Sequence, residues 1–242
     1  MTNVEVAATV APNQLLDTLT INNIKEYSND IDIIELRIDQ WEDRHLELLK
    51  SNLEQLQELN INANVLVTYR TVSQGGKGEM TYEAYMTLLK EIIKNHHCPM
   101  IDIEWNSDFD VFTHRDLIDL AHRYNKQVVV SYHNFQETPD IDILKFTYYK
   151  MNQLNPDYVK IAVMPQDKED VATLLEAVAT SADTLDAKVI GISMSSVGLV
   201  SRTAQGVFGG TVSYGCLGEP QAAPGQIHVK TLKQQLLFYS NH

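Results

Sequence analysis

The stretch KQVVVSYHNFQETPDIDILKFTYYKMNQLNPDYVKIAVM, residues 126–164, decides the fold. It contains two short apolar runs, 126–134 and 158–164, which are typical of buried strands. Between them, Thr138, Pro139 and Asp140 provide a capping residue, a proline at the first helical position and an acid in the first turn. Two buried strands joined by a helix predict a βαβ unit of a parallel sheet.

The same alternation of strand and helix patterns runs along all 242 residues. The other predicted strands cover 4–10, 31–39, 63–71, 100–105, 188–194 and 210–217. Further helices are predicted over 43–59, from Asp167 onward and over roughly 228–240. In the first of these, the apolar face consists of Leu46, Leu49, Leu53, Leu56 and Leu59.

Eight βα units with a period of roughly 30 residues predict an α/β fold, a single (β/α)8 TIM barrel over residues 1–242. No linker rich in proline, glycine or serine divides the chain. A doubly wound open sheet is the alternative, but it normally uses fewer strands for this length. It also needs a glycine-rich loop after the first strand, and Val10-Ala11-Pro12-Asn13 is not one.

Composition and charge exclude several classes of function. The formal net charge of −13 argues against a nucleic-acid-binding surface or a polybasic membrane patch. No apolar run approaches the ~20 residues needed to span a bilayer, and the first residues lack a basic start followed by an apolar stretch. Cys98 and Cys216 are expected toward opposite ends of the barrel, too far apart for a disulfide. We therefore expect a cytoplasmic protein.

Polar residues lie late in their predicted strands and share one strand face. Side chains alternate in direction along a strand, and the outer faces of a barrel are covered by helices, so this polar set should point into the barrel. The set consists of Glu35, Arg37, Asp39, Thr68, Arg70, Asp102, Glu104, Ser131, His133 and Lys160. Barrel active sites lie at the carboxyl ends of the strands, so the clustering indicates a site. The alternative is an ion-pair layer that only closes the barrel.

Lys160 lies inside an apolar strand, where an ammonium group is costly unless it is paired or neutralised. The preceding strand ends with His133. A neutral amine beside a proton-transferring imidazole can attack a carbonyl and form a Schiff base. The two residues alone leave a structural, salt-bridged lysine equally open.

The loops after the strands add further candidates. Arg70 precedes the glycine-rich segment 71–78, which lacks the spacing of a phosphate-binding P-loop. Arg202 could clamp a carboxylate, although a lone loop arginine is more often solvated. Residues 217–226 have the composition of a lid or of an ordinary connector. No metal-binding spacing is present, and the histidines outside the strands are expected at the surface: His45, His96, His97, His114, His122, His228 and His242.

Together these residues resemble the type I 3-dehydroquinate dehydratase family. The resemblance rests on ELR at 35–37, Arg70 with its glycine-rich loop, SYHNF around His133, VKIAV around Lys160, SR at 201–202 and APGQ at 223–226. It covers essentially the whole chain, in order. It implies a (β/α)8 barrel, usually a homodimer, that converts the small molecule 3-dehydroquinate to 3-dehydroshikimate plus water without a metal or organic cofactor. That reaction belongs to the shikimate pathway toward chorismate and the aromatic amino acids.

The resemblance also implies roles for single residues. Lys160 matches the Schiff-base lysine, His133 the general acid/base, and Glu35 the carboxylate that orients this histidine. The matches to substrate-contacting positions are Glu35, Arg37, Arg70, Arg202 and Gln226, with Arg202 on the substrate carboxylate.

The chain departs from the family at Ala222 and Ala223, where a serine is frequent, and at Gln74, where some members have glutamate. These departures put two secondary substrate hydrogen bonds in doubt. Two other functions stay open: a Schiff-base aldolase, which would usually need a phosphate site after strands 7 and 8, and a non-catalytic barrel that binds a metabolite.

Overall fold

The computed structural model describes residues 3–108, 110–218 and 223–240. Within these ranges, strands and helices alternate. The strands are β1 Glu5–Val10, β2 Ile33–Arg37, β3 Asn64–Thr68, β4 Met100–Glu104, β5 Gln127–Asn134, β6 Tyr158–Val163, β7 Lys188–Ser193 and β8 Val212–Gly215. The helices are α1 Thr18–Glu26, α2 His45–Glu58, α3 Tyr82–Asn95, α4 Val111–Arg123, α5 Ile141–Asn152, α6 Lys168–Thr184, α7 Leu199–Thr203 and α8 Val229–Ser240.

The eight strands form one parallel sheet in the order β7-β6-β5-β4-β3-β2-β1-β8. Strands β1 to β7 therefore each pair with the next in sequence, and β8 pairs with β1. Between β7 and β8, the backbone N–H of Thr211 donates to the carbonyl of Val189 at 3.0 Å, which brings the sheet to near closure. This is a (β/α)8 TIM barrel, as predicted.

Side chains alternate in direction along each strand, and this alternation divides the apolar core into an outer and an inner part. The outward residues, among them Ile34, Leu36 and Val130, pack beneath the helices. The inward residues fill the lower part of the barrel: Ala7, Ile33, Leu66, Met100, Val129, Tyr158, Ile190 and Val212. Because these strands are rich in valine and isoleucine and buried on both faces, the sequence shows continuous apolar runs rather than alternation.

The inward polar residues follow the apolar layer along each strand, toward the carboxyl end. Glu35 comes two residues after Ile33, and Lys160 two residues after Tyr158, so each points into the barrel like its predecessor. Asp102 and Ser131 follow Met100 and Val129 in the same way. The predicted inward orientation of the polar set is therefore confirmed for the described strands.

Several predicted strands are too long. The second ends at Arg37 rather than at residue 39, because Asp39 turns back to bind the Arg37 guanidinium at 2.7 and 2.9 Å. The third ends at Thr68, and the last covers only Val212–Gly215. In each case the last residues of the predicted strand form the following loop instead of pairing with the neighbouring strand.

Two helix predictions need correction. In α2 the buried face is His45, Leu48, Leu49, Asn52 and Leu56, whereas Leu46 is exposed. The face is displaced because the buried Asn52 amide binds the backbone of the segment before α1. Helix α5 begins at Ile141 with Asp140 as its N-cap, so Thr138 is not the cap. The Thr138 hydroxyl instead donates to the carbonyl of Met164.

The surface prediction is wrong for two histidines. His114 is fully buried, with its ring nitrogens 3.2 Å from the carbonyls of Asp110 and Glu104. His45 is buried against Trp41 and Tyr69. An imidazole can be buried where it packs against aromatic rings or meets backbone acceptors. His242 lies outside the described residues.

Both cysteines are buried and free, in agreement with the prediction. Among the described helices, none combines the length and apolar character needed to cross a membrane.

Candidate active site

The carboxyl ends of the strands surround a cavity. It is lined by all seven residues to which the family resemblance gives a role: Glu35, Arg37, Arg70, His133, Lys160, Arg202 and Gln226. Neighbouring wall residues are Thr9, Gln74, Phe135, Ile192, Met194 and Tyr214. The structure thus brings together side chains that are up to 217 residues apart in the chain (226 − 9).

Lys160 lies at the centre of this cavity wall, on β6. Its side chain is almost fully buried, and its Nζ lies 3.9 Å from Glu35 Oε1. Burial lowers the pKa of Lys160 from 10.5 to about 8, since the loss of hydration outweighs the attraction of Glu35, and the positive charge of Arg70 acts in the same direction. A substantial fraction of this amine is therefore neutral at mildly alkaline pH.

Glu35, on β2, is buried and ionised. Thr9 Oγ1 donates to its Oε2 at 2.8 Å, and Thr68 Oγ1 donates to its Oε1 at 3.2 Å. Burial has the largest single effect and raises the pKa of Glu35. Lys160, Arg37, Arg70 and the Thr9 hydroxyl together lower it by more, so the net pKa is below the ordinary value. Both carboxylate oxygens are thus occupied by hydroxyl donors.

His133 is held by Gln74, which lies in the short 3-10 turn Val72–Gln74 after β3. Gln74 Oε1 accepts from the backbone N–H of His133 at 2.9 Å and lies 3.2 Å from its ring Nδ1. Gln74 Nε2 donates to the carbonyl of Trp105 at 2.9 Å, which fixes the orientation of the amide. Because Oε1 can only accept, the proton belongs on Nδ1, and Nε2 carries the lone pair.

The charges around His133 favour this neutral ring. Its pKa lies well below 6.5, first because the ring is buried, and then because Arg70, Lys160 and Arg37 are positively charged. Phe135 stacks on the ring at 6.5 Å between centroids. Gly75 adopts a left-handed φ of 81°, and an added Cβ there would overlap Phe135, so the turn requires glycine.

The expected partnership of Glu35 with His133 is not seen: among the described residues, no hydrogen bond joins them. Gln74 takes that place instead. Sequence reasoning treated position 74 only as a lost substrate contact, because a loop residue carries no periodic signal that shows where its side chain points. Tyr214 and Thr9 were also missed, although both follow the inward parity of their strands.

Arg70 is the centre of a buried ionic cluster. Its guanidinium binds Asp102 Oδ1 at 2.9 Å, Glu104 Oε1 at 3.0 Å and Ser131 Oγ at 2.9 Å. Burial lowers the pKa of Arg70, but Asp102 and Glu104 raise it above its ordinary value. The role of these two acids, which the sequence left open, is therefore at least to balance Arg70.

Arg202, on α7, is a buried cation without a carboxylate partner among the described residues. Its guanidinium donates to the carbonyls of Tyr214 and Pro224, both at 3.1 Å, and its Nε has no hydrogen-bond partner in that part of the chain. Burial lowers the pKa of Arg202 to about 10. A buried charge of this kind favours an anionic ligand, because an anion would compensate the lost hydration.

The described end of the loop after β8 packs against this arginine. Pro224 also accepts from the backbone N–H of Ser195 at 3.2 Å, and Gln226 Nε2 donates to Thr9 Oγ1 at 3.3 Å. Gly225 has a φ of 76° and passes so close to the backbone of Ser195 that a Cβ would clash. Ala223 lines the cavity, whereas Ala222 lies outside the described residues.

Among the described residues, no group of three or more histidine, cysteine, aspartate and glutamate side chains is arranged to hold a metal ion. The cavity instead offers a buried amine, a neutral imidazole and three guanidinium groups. This arrangement can bind an anionic molecule and perform amine and proton-transfer chemistry on it.

Barrel topology and this cavity define a (β/α)8-barrel enzyme with an amine and an imidazole in an anion-binding pocket. The chain belongs to the type I 3-dehydroquinase family, whose model matches residues 10–242. It is 96% identical to the 3-dehydroquinate dehydratase of Staphylococcus haemolyticus over the full length of both chains. It is 49% identical to the 3-dehydroquinate dehydratase of Staphylococcus saprophyticus, over 99% of this chain and 100% of that protein.

A solved structure gives the same result for the fold. The type I 3-dehydroquinate dehydratase of Clostridium difficile, crystallised with covalently modified comenic acid, superposes with a TM-score of 0.85. The two proteins are 30% identical, and the match covers 100% of this chain and 94% of that one.

Proposed function

We propose that this protein is a 3-dehydroquinate dehydratase, which converts 3-dehydroquinate to 3-dehydroshikimate plus water in the third step of the shikimate pathway. Family membership and the names of the full-length relatives support the reaction. The observation that carries the chemistry is Lys160, a buried amine with a pKa lowered to about 8 that faces the cavity.

Lys160 supplies an electron sink. Its neutral amine attacks the substrate ketone, water leaves, and an iminium forms. The positive charge of the iminium acidifies the neighbouring carbon, so a weak base can remove its proton near neutral pH. Lys160 must be neutral when it attacks, and burial together with Arg70 provides that condition.

His133 moves the protons. Its Nε2 takes the proton from the carbon beside the iminium, which gives an enamine, and then returns a proton to the departing hydroxyl. General acid and base help contributes roughly 10²–10⁴-fold per step. Gln74 serves as the positioning residue that keeps the proton on Nδ1, the role first expected of Glu35. Glu35 instead acts on Lys160, as the nearby negative charge for the cationic nitrogen.

The arginines and Gln226 hold the substrate. Arg202 binds the substrate carboxylate, because no carboxylate of the described residues pairs with its buried guanidinium. Arg37 and Arg70 are already paired with Asp39 and with Asp102 and Glu104. They therefore act as fixed donors to hydroxyl groups, and Gln226 closes the pocket beside Thr9.

The proposal is tested by following the near-ultraviolet absorbance of the conjugated product. Lys160→Ala should abolish turnover while ligand still binds, and His133→Ala should slow turnover severely while some adduct still forms. Lys145→Ala is a matched control, since Lys145 pairs with Glu176 on the outer surface. Turnover that survives unchanged in either active-site variant contradicts the assigned roles.

The family resemblance also leads us to propose a homodimer. Helix α5 supports it with an apolar stripe at least half exposed in the isolated chain, made by Ile143, Phe146 and Tyr149. Analytical ultracentrifugation tests this: the wild type should sediment as a dimer and Phe146→Glu as a weaker one. A wild type that is monomeric at micromolar concentration contradicts the proposal.

A further inference from the structure

An aromatic ring lies directly against the reactive nitrogen. Lys160 Nζ is 3.7 Å from the centroid of the Tyr214 ring, and both side chains are buried. Tyr214 lies on β8, and β7 lies between this strand and β6 around the barrel. The ring centroid is 3.7 Å from Nζ, about as close as the nearer oxygen of Glu35 at 3.9 Å.

We propose that Tyr214 is a catalytic residue, whose ring face stabilises the positively charged nitrogen of the iminium. This inference rests on the proposed Schiff-base chemistry. In the first stage, amine, ketone and one proton give iminium and water, so a positive charge stays on nitrogen. In the second stage His133 removes a carbon proton and the bond electrons neutralise the iminium, giving the enamine. The ring therefore favours the iminium over both neutral neighbours on the pathway.

The change in hydrogen bonding at nitrogen explains why a ring suits this place. A lysine ammonium has three N–H donors, whereas the iminium formed with a ketone has one. Acceptor groups can therefore form fewer hydrogen bonds with the nitrogen once the iminium has formed. Cation–π attraction needs no N–H group and continues. Glu35 attracts the cation through its charge, but its nearer oxygen lies 3.9 Å from Nζ, beyond hydrogen-bond distance.

The phenol itself stays neutral. Burial raises the pKa of Tyr214 well above 10, and Glu35 and Asp102 raise it further. The hydroxyl therefore offers no negative charge at working pH, and the ring face carries the interaction. Phenylalanine at this position should act almost as well as tyrosine, whereas an aliphatic side chain should not.

A purely structural role for Tyr214 is the competing explanation, because the ring also packs within the apolar interior beside Ile190 and Val212. Changing the electron density of the ring distinguishes the catalytic role from the structural one. We would prepare Tyr214→Phe, Tyr214→Leu and a series with increasingly fluorinated phenylalanine at position 214, which weakens the ring face while nearly keeping its size. Circular dichroism and thermal melting would confirm that each variant is folded.

The readout is the initial rate of borohydride trapping at low 3-dehydroquinate concentration, which follows the iminium population. Tyr214→Phe should trap within a few-fold of the wild type, and Tyr214→Leu roughly tenfold to thirtyfold more slowly. The fluorinated series should fall steadily with each fluorine. A flat series, or equal trapping in Tyr214→Leu and Tyr214→Phe, overturns the inference. Wild type that traps nothing refutes the Schiff-base proposal itself, which is a different result.

Discussion

Replacing Gln74 with glutamate tests how the imidazole is controlled. Gln74 Oε1 lies 3.2 Å from Nδ1 of His133. Glutamate has the same side-chain length as glutamine, so the substitution places a carboxylate oxygen next to the ring. A unit charge pair about 4 Å apart interacts by roughly 4 kcal/mol at an effective dielectric constant of 20. Part of this is lost in burying the new carboxylate, so the pKa of His133 should rise by roughly 1–3 units.

The sign of the effect follows from the wild-type charges. Arg70, just after β3, and Lys160 and Arg37, on β6 and β2, are positively charged near His133. Burial and these three charges hold its pKa well below 6.5. The amide of Gln74 is uncharged and does not offset the effect of these positive charges on the pKa of His133. In Gln74→Glu the imidazolium gains a carboxylate partner, and its titration moves up toward or past 6.5. The acidic limb of kcat should move with it, because kcat reports groups in the enzyme–substrate complex.

The assay is a nitrogen-15 NMR titration of the His133 ring, with the kcat profile from pH 4 to 9 beside it. Gln74→Met is the control, since it removes the acceptor without adding charge and should lower kcat without raising the ring pKa. In both variants the carbonyl of Trp105 loses the hydrogen bond from Gln74 Nε2, which costs about 1–3 kcal/mol of stability. Melting curves should therefore be measured beside the titrations. An unchanged His133 titration in Gln74→Glu, with the fold intact, would refute this account of the ring.

Two further predictions concern the buried cations. Arg202→Met should raise the unfolding free energy of the ligand-free protein by about 1–3 kcal/mol, because it removes a buried charge that no carboxylate in the described part of the chain compensates. The same variant should lose the thermal shift caused by substrate. Calorimetry with and without substrate measures both effects, and Arg115→Met is the control at an exposed position. An Arg202→Met protein that is less stable than the wild type and still shows the substrate-induced thermal shift would contradict the prediction. The rate of adduct formation at low substrate concentration should rise with pH and level off above about 8, because only the neutral amine of Lys160 attacks. Stopped-flow measurements in which the rate still rises about tenfold per pH unit above pH 9 would exclude the lowered pKa.

Much of the site was predictable because a strand has a simple rule. Side chains alternate, outer faces of a barrel must be apolar, and so Glu35, His133 and Lys160 had to point inward once their strands were recognised. Parity also placed Tyr214 inward, but nothing in the sequence shows that its ring meets the nitrogen of Lys160. That contact depends on the width of the barrel and on the side-chain rotamers.

Gln74 could not be predicted for a different reason. It lies in a loop without periodicity, and it bonds to a residue 59 positions away (133 − 74). Arg202 shows the same limit: a lone arginine beyond a strand suggests a solvated side chain, yet the loop carbonyl of Pro224 and the strand carbonyl of Tyr214 enclose it. Long-range polar contacts fix such residues, and the local sequence does not encode them.

The most direct measurement is the position of the covalent adduct. The protein would be incubated with 3-dehydroquinate, reduced with borohydride, digested and mapped by mass spectrometry. We predict one modified residue, Lys160. Lys126 is an internal control, being also buried but bound to the carbonyls of His96 and Cys98 away from the cavity. Modification at a different lysine, or continued turnover with no trapped adduct, would contradict the account.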